Sequence, residues 1–217
     1  MKKNLKLKLL ALDRYVGVND ADPLRLYFHT VFGYFYRRRV ELCLNELSGG
    51  ERVLEVGFGS GLSFLNLHDL YQDIWGIDLT ASTSEIAELF RKEGIETHLQ
   101  NGSVQLMPYP DNYFDSVLLI SILEHINPEE QIKAFREIWR VLKPGGQVVY
   151  GVPIERPLMV FLFRLLGVNI REHHFSTEKD VADAARQVFD SGILQVMKGP
   201  IGVGVSVYEI GHFRKQS

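Results

Sequence analysis

The chain has 217 residues, 46% of them hydrophobic and 24% charged, and carries a formal net charge of -3. That length buries a full core in one domain, with or without a short appendage, and the composition is that of an ordinary globular protein. The negative balance supplies no general attraction for nucleic acid, and the single Cys43 excludes an internal disulfide, fits a reducing compartment and reads as a helix-packing residue.

The first residues, MKKNLKLKLLALDRY, begin with basic side chains like an export signal. Lys6 and Lys8 interrupt the apolar run and no small-residue cleavage site follows, so a cytoplasmic protein is expected. No apolar stretch approaches the roughly 20 residues that a membrane span needs. Residues 1–48 read as an N-terminal helical appendage, a lid or cap for a substrate, ahead of one domain over 49–217. Within it, Tyr27, Phe28, Phe32, Tyr34, Phe35 and Tyr36 form a candidate apolar wall, and Arg37, Arg38 and Arg39 a candidate contact for anionic lipid or a phosphate.

From residue 51 to about 150, glycine-punctuated units of strand and helix alternate, the pattern of a parallel sheet covered by helices on both faces. Strands are expected at 52–56, 73–78, 95–100, 116–121 and 147–153. Helices are expected at 60–71, at 82–93 with Ser82 and Glu85 at capping-box spacing and Gly94 as terminator, and at 128–142. The last of these has Ile132, Phe135, Ile138, Trp139 and Leu142 at helical period as its buried face. After Pro153 come an apolar segment at 157–168, the pair His173 and His174, and a helix capped by Ser176 or Thr177. Two final strands, near 193–198 and 203–212, are separated by a GPIG turn short enough for a hairpin.

The chemistry concentrates in VLEVGFGSG, from Val53 to Gly61. An apolar run breaking into glycines at i, i+2 and i+4 reads as a buried strand turning sharply into a helix, where backbone approaches a ligand that side chains would block. A dinucleotide turn needs a third glycine where Leu62 stands, and a phosphate loop needs Gly-Lys-Ser/Thr where Leu62 and Ser63 follow. Asp78 stands 21 positions after Gly57, at the tip of the second strand, where a carboxylate accepts hydrogen bonds from both hydroxyls of a ribose. An acid there also suits the dipole of the helix that follows.

The glycine turn resembles the first motif, E/D-x-G-x-G-x-G, of the class I S-adenosylmethionine-dependent methyltransferases. Three further blocks, NGSVQLMPYPDNYFDSV, LLISILEHI and VLKPGGQVV, resemble the same family in the same order across about 51–152, and the pattern is most similar to the type 11 small-molecule group. The resemblance implies a Rossmann-like seven-stranded, mostly parallel sheet with an antiparallel C-terminal hairpin and helices on both faces. It implies S-adenosyl-L-methionine as cofactor and S-adenosyl-L-homocysteine as product. By the same resemblance, backbone at Gly57, Phe58, Gly59 and Gly61 lines methionine and ribose, Glu55 orients the methionyl ammonium, Asp78 takes the ribose and Leu79 packs on adenine. Ser103 and the backbone of Val104 receive the adenine amino group, and Ser121 and Ile122 flank the sulfonium. Ser103 is a departure, because the family usually has an acid there and a neutral hydroxyl is a weaker acceptor.

His125, after the fourth strand, is the candidate general base, with a capping or packing histidine as the alternative; Glu55 also reads as a strand-end acid satisfied by backbone amides. His173 and His174 are adjacent, which does not suit a metal site, and none is expected. The expected partner is a small-molecule acceptor, apolar or lipid-linked, with 157–168 as a lid, an interfacial helix or a dimer contact. Peripheral membrane contact and a monomer or homodimer stay open. SILE stands where base-methylating enzymes carry Asn/Asp-Pro-Pro-aromatic, which together with the net charge argues against nucleic acid. A cofactor-binding sensor or partner subunit without methyl transfer is the alternative from another class, and a nicotinamide-binding dehydrogenase is a third.

Overall fold

The computed structural model describes residues 4–15, 24–30, 32–154, 175–198 and 206–216. The segment 157–168, His173, His174, the GPIG turn and residues 203–205 lie outside the described residues. Strands β1 (Gly50–Val56), β2 (Tyr71–Asp78), β3 (Thr97–Asn101), β4 (Phe114–Ile120), β5 (Leu142–Pro153), β6 (Gly192–Lys198) and β7 (Ser206–Arg214) make one sheet, ordered β3-β2-β1-β4-β5-β7-β6. The first five run parallel, while β7 is antiparallel to both β5 and β6. This is the expected Rossmann-like sheet with its antiparallel hairpin. The chain steps outward from β1 to β3 and then returns to β4 on the other side of β1, so the carboxyl ends of β1 and β4 border the crevice where such sheets bind ligands.

Helices α1 (Leu24–Phe28), α2 (Phe32–Glu46), α3 (Phe64–His68), α4 (Thr83–Arg91), α5 (Pro128–Val141) and α6 (Glu178–Val188) cover the two faces. Because side chains alternate along a strand, each central strand feeds both cores. Val53, Leu118 and Val149 join Cys43, Phe64 and Phe90 on one side. Leu54, Val117, Leu119, Val148 and Tyr150 join Phe135, Ile138 and Val181 on the other. Strands buried on both faces read as continuous apolar runs, which is why VLEV and FDSVLLI were legible as strands.

Four details differ from the sequence reading. Ser82 makes no side-chain cap on α4, whereas Thr177 caps α6 in a capping box with Asp180; Ser176 instead hydrogen-bonds the Ile126 carbonyl. Trp139 is exposed rather than core, with the Lys215 ammonium 3.8 Å from the indole centre, and Gln131, Ala134 and Val141 complete the buried face of α5. The helix after the glycine turn shortens to α3. LKPGG belongs to β5, since Leu142 already has extended backbone, with ψ at 138°.

Among the described residues up to 48, helix covers Leu12–Tyr15, Leu24–Phe28 and Phe32–Glu46, and residues 4–11 are not helical. Residues 5–10 lie extended across α2 and α3, held by two asparagines that act like fragments of a neighbouring strand. Asn45 accepts from the Leu5 amide at 2.8 Å and donates to its carbonyl at 3.2 Å. Asn66 accepts from the Lys8 amide and donates to the Lys6 carbonyl, both at 2.9 Å. The alternation in LKLKLL thereby turns leucines toward the core, where Leu5, Leu7, Leu9 and Leu10 pack, and leaves Lys6 and Lys8 to pair with Glu41 and Asp69.

On the other face, Glu209 of β7 is buried with Oε1 unpartnered among the described residues, and its carboxyl is pushed up to about 7 by burial and then by Glu178. A carboxyl held above its unfolded value favours the fold while protonated and loses that contribution as pH rises through the raised value. Stability is therefore expected to fall between about pH 4.5 and pH 7 by about 1–2 kcal/mol from this group, and Glu209→Gln to flatten that part of the profile. Thermal unfolding of both proteins across that range checks it; parallel profiles would refute it.

Candidate active site

The crevice is built from three strand exits. At the end of β1 the chain turns through Gly57 with φ at 69°, and a Cβ there would sit 2.0 Å from Cδ1 of Ile122, so side chain is excluded by both conformation and space. Its N–H donates to the Ile77 carbonyl at 2.8 Å, binding the turn to the neighbouring strand. Phe58 sends its ring inward against Phe64, with centroids 5.9 Å apart, which leaves the backbone of 57–59 on the crevice side. Gly61, φ 71°, has Phe90 and Phe64 where a Cβ would go, so it closes the turn by packing rather than by facing a ligand. Glu55 is buried and accepts from the Ser63 hydroxyl.

At the end of β2, the carboxylate of Asp78 gathers the loops. Oδ2 accepts from the Gly59 amide at 3.0 Å, and Oδ1 from the amides of Thr80 and Ala81 at 2.9 and 3.0 Å. A carboxylate offers about four acceptor positions, so these three leave one, on Oδ2, beside the glycine turn. The Asp78 carbonyl accepts from Gly102 at 3.0 Å, joining the β3 exit to the same corner. The two adjoining loops each carry an exposed leucine, Leu79 at 73% and Leu106 at 78%. Between them, Val104 is buried and Ser103 is half-buried, its hydroxyl accepting from the Gln105 amide at 3.2 Å.

The third exit, after β4, is the strained one. Ser121 has φ at 56°, a left-handed conformation uncommon for a residue with a Cβ. Three separate parts of the chain hold it there. Its amide donates to Gly151 of β5 at 2.8 Å, its hydroxyl shares a 2.9 Å hydrogen bond with Tyr208 of β7, and it accepts from Nη1 of Arg39 of α2 at 3.4 Å. Burial, and then the nearby Cys43, pushes the Tyr208 hydroxyl well above its ordinary pKa, so it stays neutral; burial likewise pushes the Cys43 thiol up, leaving it a packing group. Nη2 of Arg39 donates to the Tyr27 hydroxyl at 2.9 Å, and the guanidinium carbon lies 4.4 Å from the centre of the Tyr36 ring.

Of the residues expected in the site, Gly57, Phe58, Gly59, Asp78, Leu79, Ser103, Val104, Ser121 and Ile122 thus come from the exits of β1, β2, β3 and β4, which the chain brings to one end of the sheet. Glu55 lies in β1 just below them. His125, in a short 3-10 turn over Leu123–His125, is exposed, while its neighbour Glu124 is buried. Sequence reasoning missed Arg39, Tyr27 and Tyr208 as one cluster. A run of three arginines carries no sign of which one faces inward: Arg37 donates to the Tyr27 carbonyl, Arg38 pairs with Glu41, and only Arg39 reaches the β4 exit.

Comparison with known proteins agrees with this geometry. Residues 54–150 match the type 11 methyltransferase domain. The ubiquinone biosynthesis O-methyltransferase of Alkalilimnicola ehrlichii is 29% identical over 154 residues, covering 70% of this chain and 56% of that protein. Its counterpart from Nitrosococcus oceani is 32% identical over 154 residues, again 70% of this chain, and 58% of that protein. The chain thus matches little more than half the length of these relatives. In fold, the N-methyltransferase NodS from Bradyrhizobium japonicum, solved with S-adenosylhomocysteine, superposes with a TM-score of 0.68 at 16% identity, covering 95% of this chain and 97% of that one.

Residues 54–150 thus match a methyltransferase domain, and the described residues have the fold of a methyltransferase solved with S-adenosylhomocysteine. If the glycine turn faces the cofactor, Gly57→Ala must displace Ile122 and strain the backbone together. S-adenosylhomocysteine affinity is then expected to fall by about tenfold or more, tenfold being about 1.4 kcal/mol. Calorimetry on folded variant and parent decides it; equal affinities would remove the turn from the binding site.

Proposed function

We propose that this chain binds S-adenosylmethionine across the β1, β2 and β4 exits and transfers its methyl group to a small-molecule acceptor held between the β4 exit and α2. The observation that carries the reading is the Asp78 carboxylate, tied to the glycine turn through Gly59 with one acceptor position remaining where a ribose hydroxyl would enter. The residues fit the cofactor. Leu79 and Leu106 offer apolar lips for a flat base, Ser103 and the Val104 amide offer an acceptor and a donor at its edge, and Glu55 supplies a buried carboxylate below the methionyl end. Bound there, the cofactor supplies a methyl group on a cationic sulfur, open to in-line attack.

The chain's own contribution is placement. Ser121 and Ile122 fix the floor beside the glycine turn, and much of the acceleration of such a displacement comes from holding the acceptor in line at near-attack distance. His125, exposed at the rim, is the group to take a proton from an acceptor that carries one at working pH. The N-terminal 48 residues serve as the cap on the acceptor side, with α2 against β4, β5 and β7. The acceptor is a small compound with an apolar ring, in keeping with the quinone-pathway enzymes among the relatives and with the aromatic side chains of Tyr27 on α1 and Tyr36 on α2.

A cofactor-binding protein without transfer remains the second reading, because the Ser103 hydroxyl is turned into its own loop by Gln105. Calorimetry with S-adenosylhomocysteine followed by turnover on a panel of hydroxylated aromatic acceptors separates the two; tight binding with no methylated product on any acceptor would favour the second. Asp78→Ala is expected to weaken S-adenosylhomocysteine binding by about 1–3 kcal/mol, the scale for hydrogen bonds to a charged group. Unchanged affinity would leave Asp78 as a loop tie only. Ser103→Asp, which restores a charged acceptor, is expected to tighten binding by about fivefold; no gain would argue that adenine is not read there.

A further inference from the structure

Arg39 is a largely buried cation that makes no ion pair among the described residues. Among the described residues its polar partners are all neutral: the hydroxyls of Ser121 and Tyr27, at 3.4 and 2.9 Å. The remaining contacts are the faces of Tyr27 and Tyr36, with ring centres 5.6 and 4.4 Å from the guanidinium carbon. Nε is buried with no partner among the described residues. A guanidinium has five donors and stays protonated throughout the accessible pH range, so two hydrogen bonds to hydroxyls leave it under-satisfied. Its neighbours on α2 and at the start of the chain contrast with it, since Arg38 and Lys6 both pair with Glu41. Burying one partner of an ion pair without the other is strongly unfavourable unless something supplies the missing charge.

The location says what would supply it. Arg39 is carried by α2 over the β4, β5 and β7 half of the sheet, is bonded to the strained Ser121 at the β4 exit, and lies against the rings of Tyr27 and Tyr36. We propose that Arg39, with the hydroxyls of Tyr27, Ser121 and Tyr208, forms an oxyanion subsite that takes a carboxylate or phosphate of a molecule occupying the crevice. The proposal rests on the methyltransferase reading for what occupies the crevice, but the subsite itself can be tested without turnover. Two molecules could bring the oxyanion: the acceptor, on the side of β4 away from Asp78, or the cofactor through its own carboxylate.

The experiment uses the full chain, with Arg39→Met to remove the charge and Arg39→Lys to keep it without the fork. Benzoate and inorganic phosphate are titrated with and without S-adenosylhomocysteine, following melting temperature and calorimetry; S-adenosylhomocysteine is compared with 5′-methylthioadenosine, which lacks the carboxylate. The expected result is that benzoate or phosphate stabilises the parent and that Arg39→Met abolishes this, with Arg39→Lys intermediate. If S-adenosylhomocysteine affinity stays within about twofold in Arg39→Met, the acceptor brings the oxyanion. If that affinity falls by about tenfold or more while 5′-methylthioadenosine is unaffected, the cofactor brings it. If no anion and neither nucleoside responds to Arg39→Met or Arg39→Lys, the subsite is overturned. Failure of the parent to bind S-adenosylhomocysteine would instead sink the methyltransferase reading and leave the anion titrations to judge the subsite.

Discussion

The corner around Asp78 is the constraint on which the rest of the site depends. One carboxylate holds the amide of Gly59 with one oxygen and the amides of Thr80 and Ala81 with the other, while the backbone of the same residue takes the amide of Gly102. Three loops that leave different strands are thereby fixed relative to each other before any ligand arrives. A charged acceptor makes stronger hydrogen bonds than a neutral one, so an acid here organises the loops and keeps an acceptor position beside the glycine turn. The helix-start role and the ligand role are not alternatives; the geometry accommodates both.

The β4 exit is organised differently. No single group fixes Ser121; a strand amide pairing, a C-terminal tyrosine and an N-terminal arginine do so together. A left-handed serine persists only where its surroundings over-determine it. The consequence is that both the N-terminal and the C-terminal parts of the chain contribute to the β4 exit, through α2 on one side and β7 on the other. The extended strap at residues 5–10, fastened to α2 and α3 by Asn45 and Asn66, belongs to the same arrangement because it anchors the helix that carries Arg39.

Much of this was legible in the sequence. Short apolar runs placed β1, β2 and β4 to within a few residues, and the spacing between Gly57 and Asp78 put the turn and the acid at neighbouring strand tips. The misreadings have local causes. Trp139 fits the helical period of the buried face, yet it sits at the edge of that stripe, where Lys215 covers it rather than the core. Ser82 has capping-box spacing, but Asp78 already takes the amides just before α4, and the serine side chain is not used as a cap. The strap is hard to read in sequence because a short leucine-lysine alternation after two basic residues resembles the start of an export signal as much as it does period-2 structure.

The sequence by itself determined the order of strands and helices, the glycine turn, the acid that faces it and the likeness to a methyltransferase domain, because each of these is written in neighbouring residues or in a fixed spacing along the chain. Only the tertiary structure decided which of three consecutive arginines turns inward, that Tyr27 and Tyr208 meet it from opposite ends of the chain, and that Glu124 rather than His125 is buried. Those contacts join residues far apart in sequence. Their partners are chosen by how the helices and the last hairpin settle on the sheet, and no local pattern records that choice.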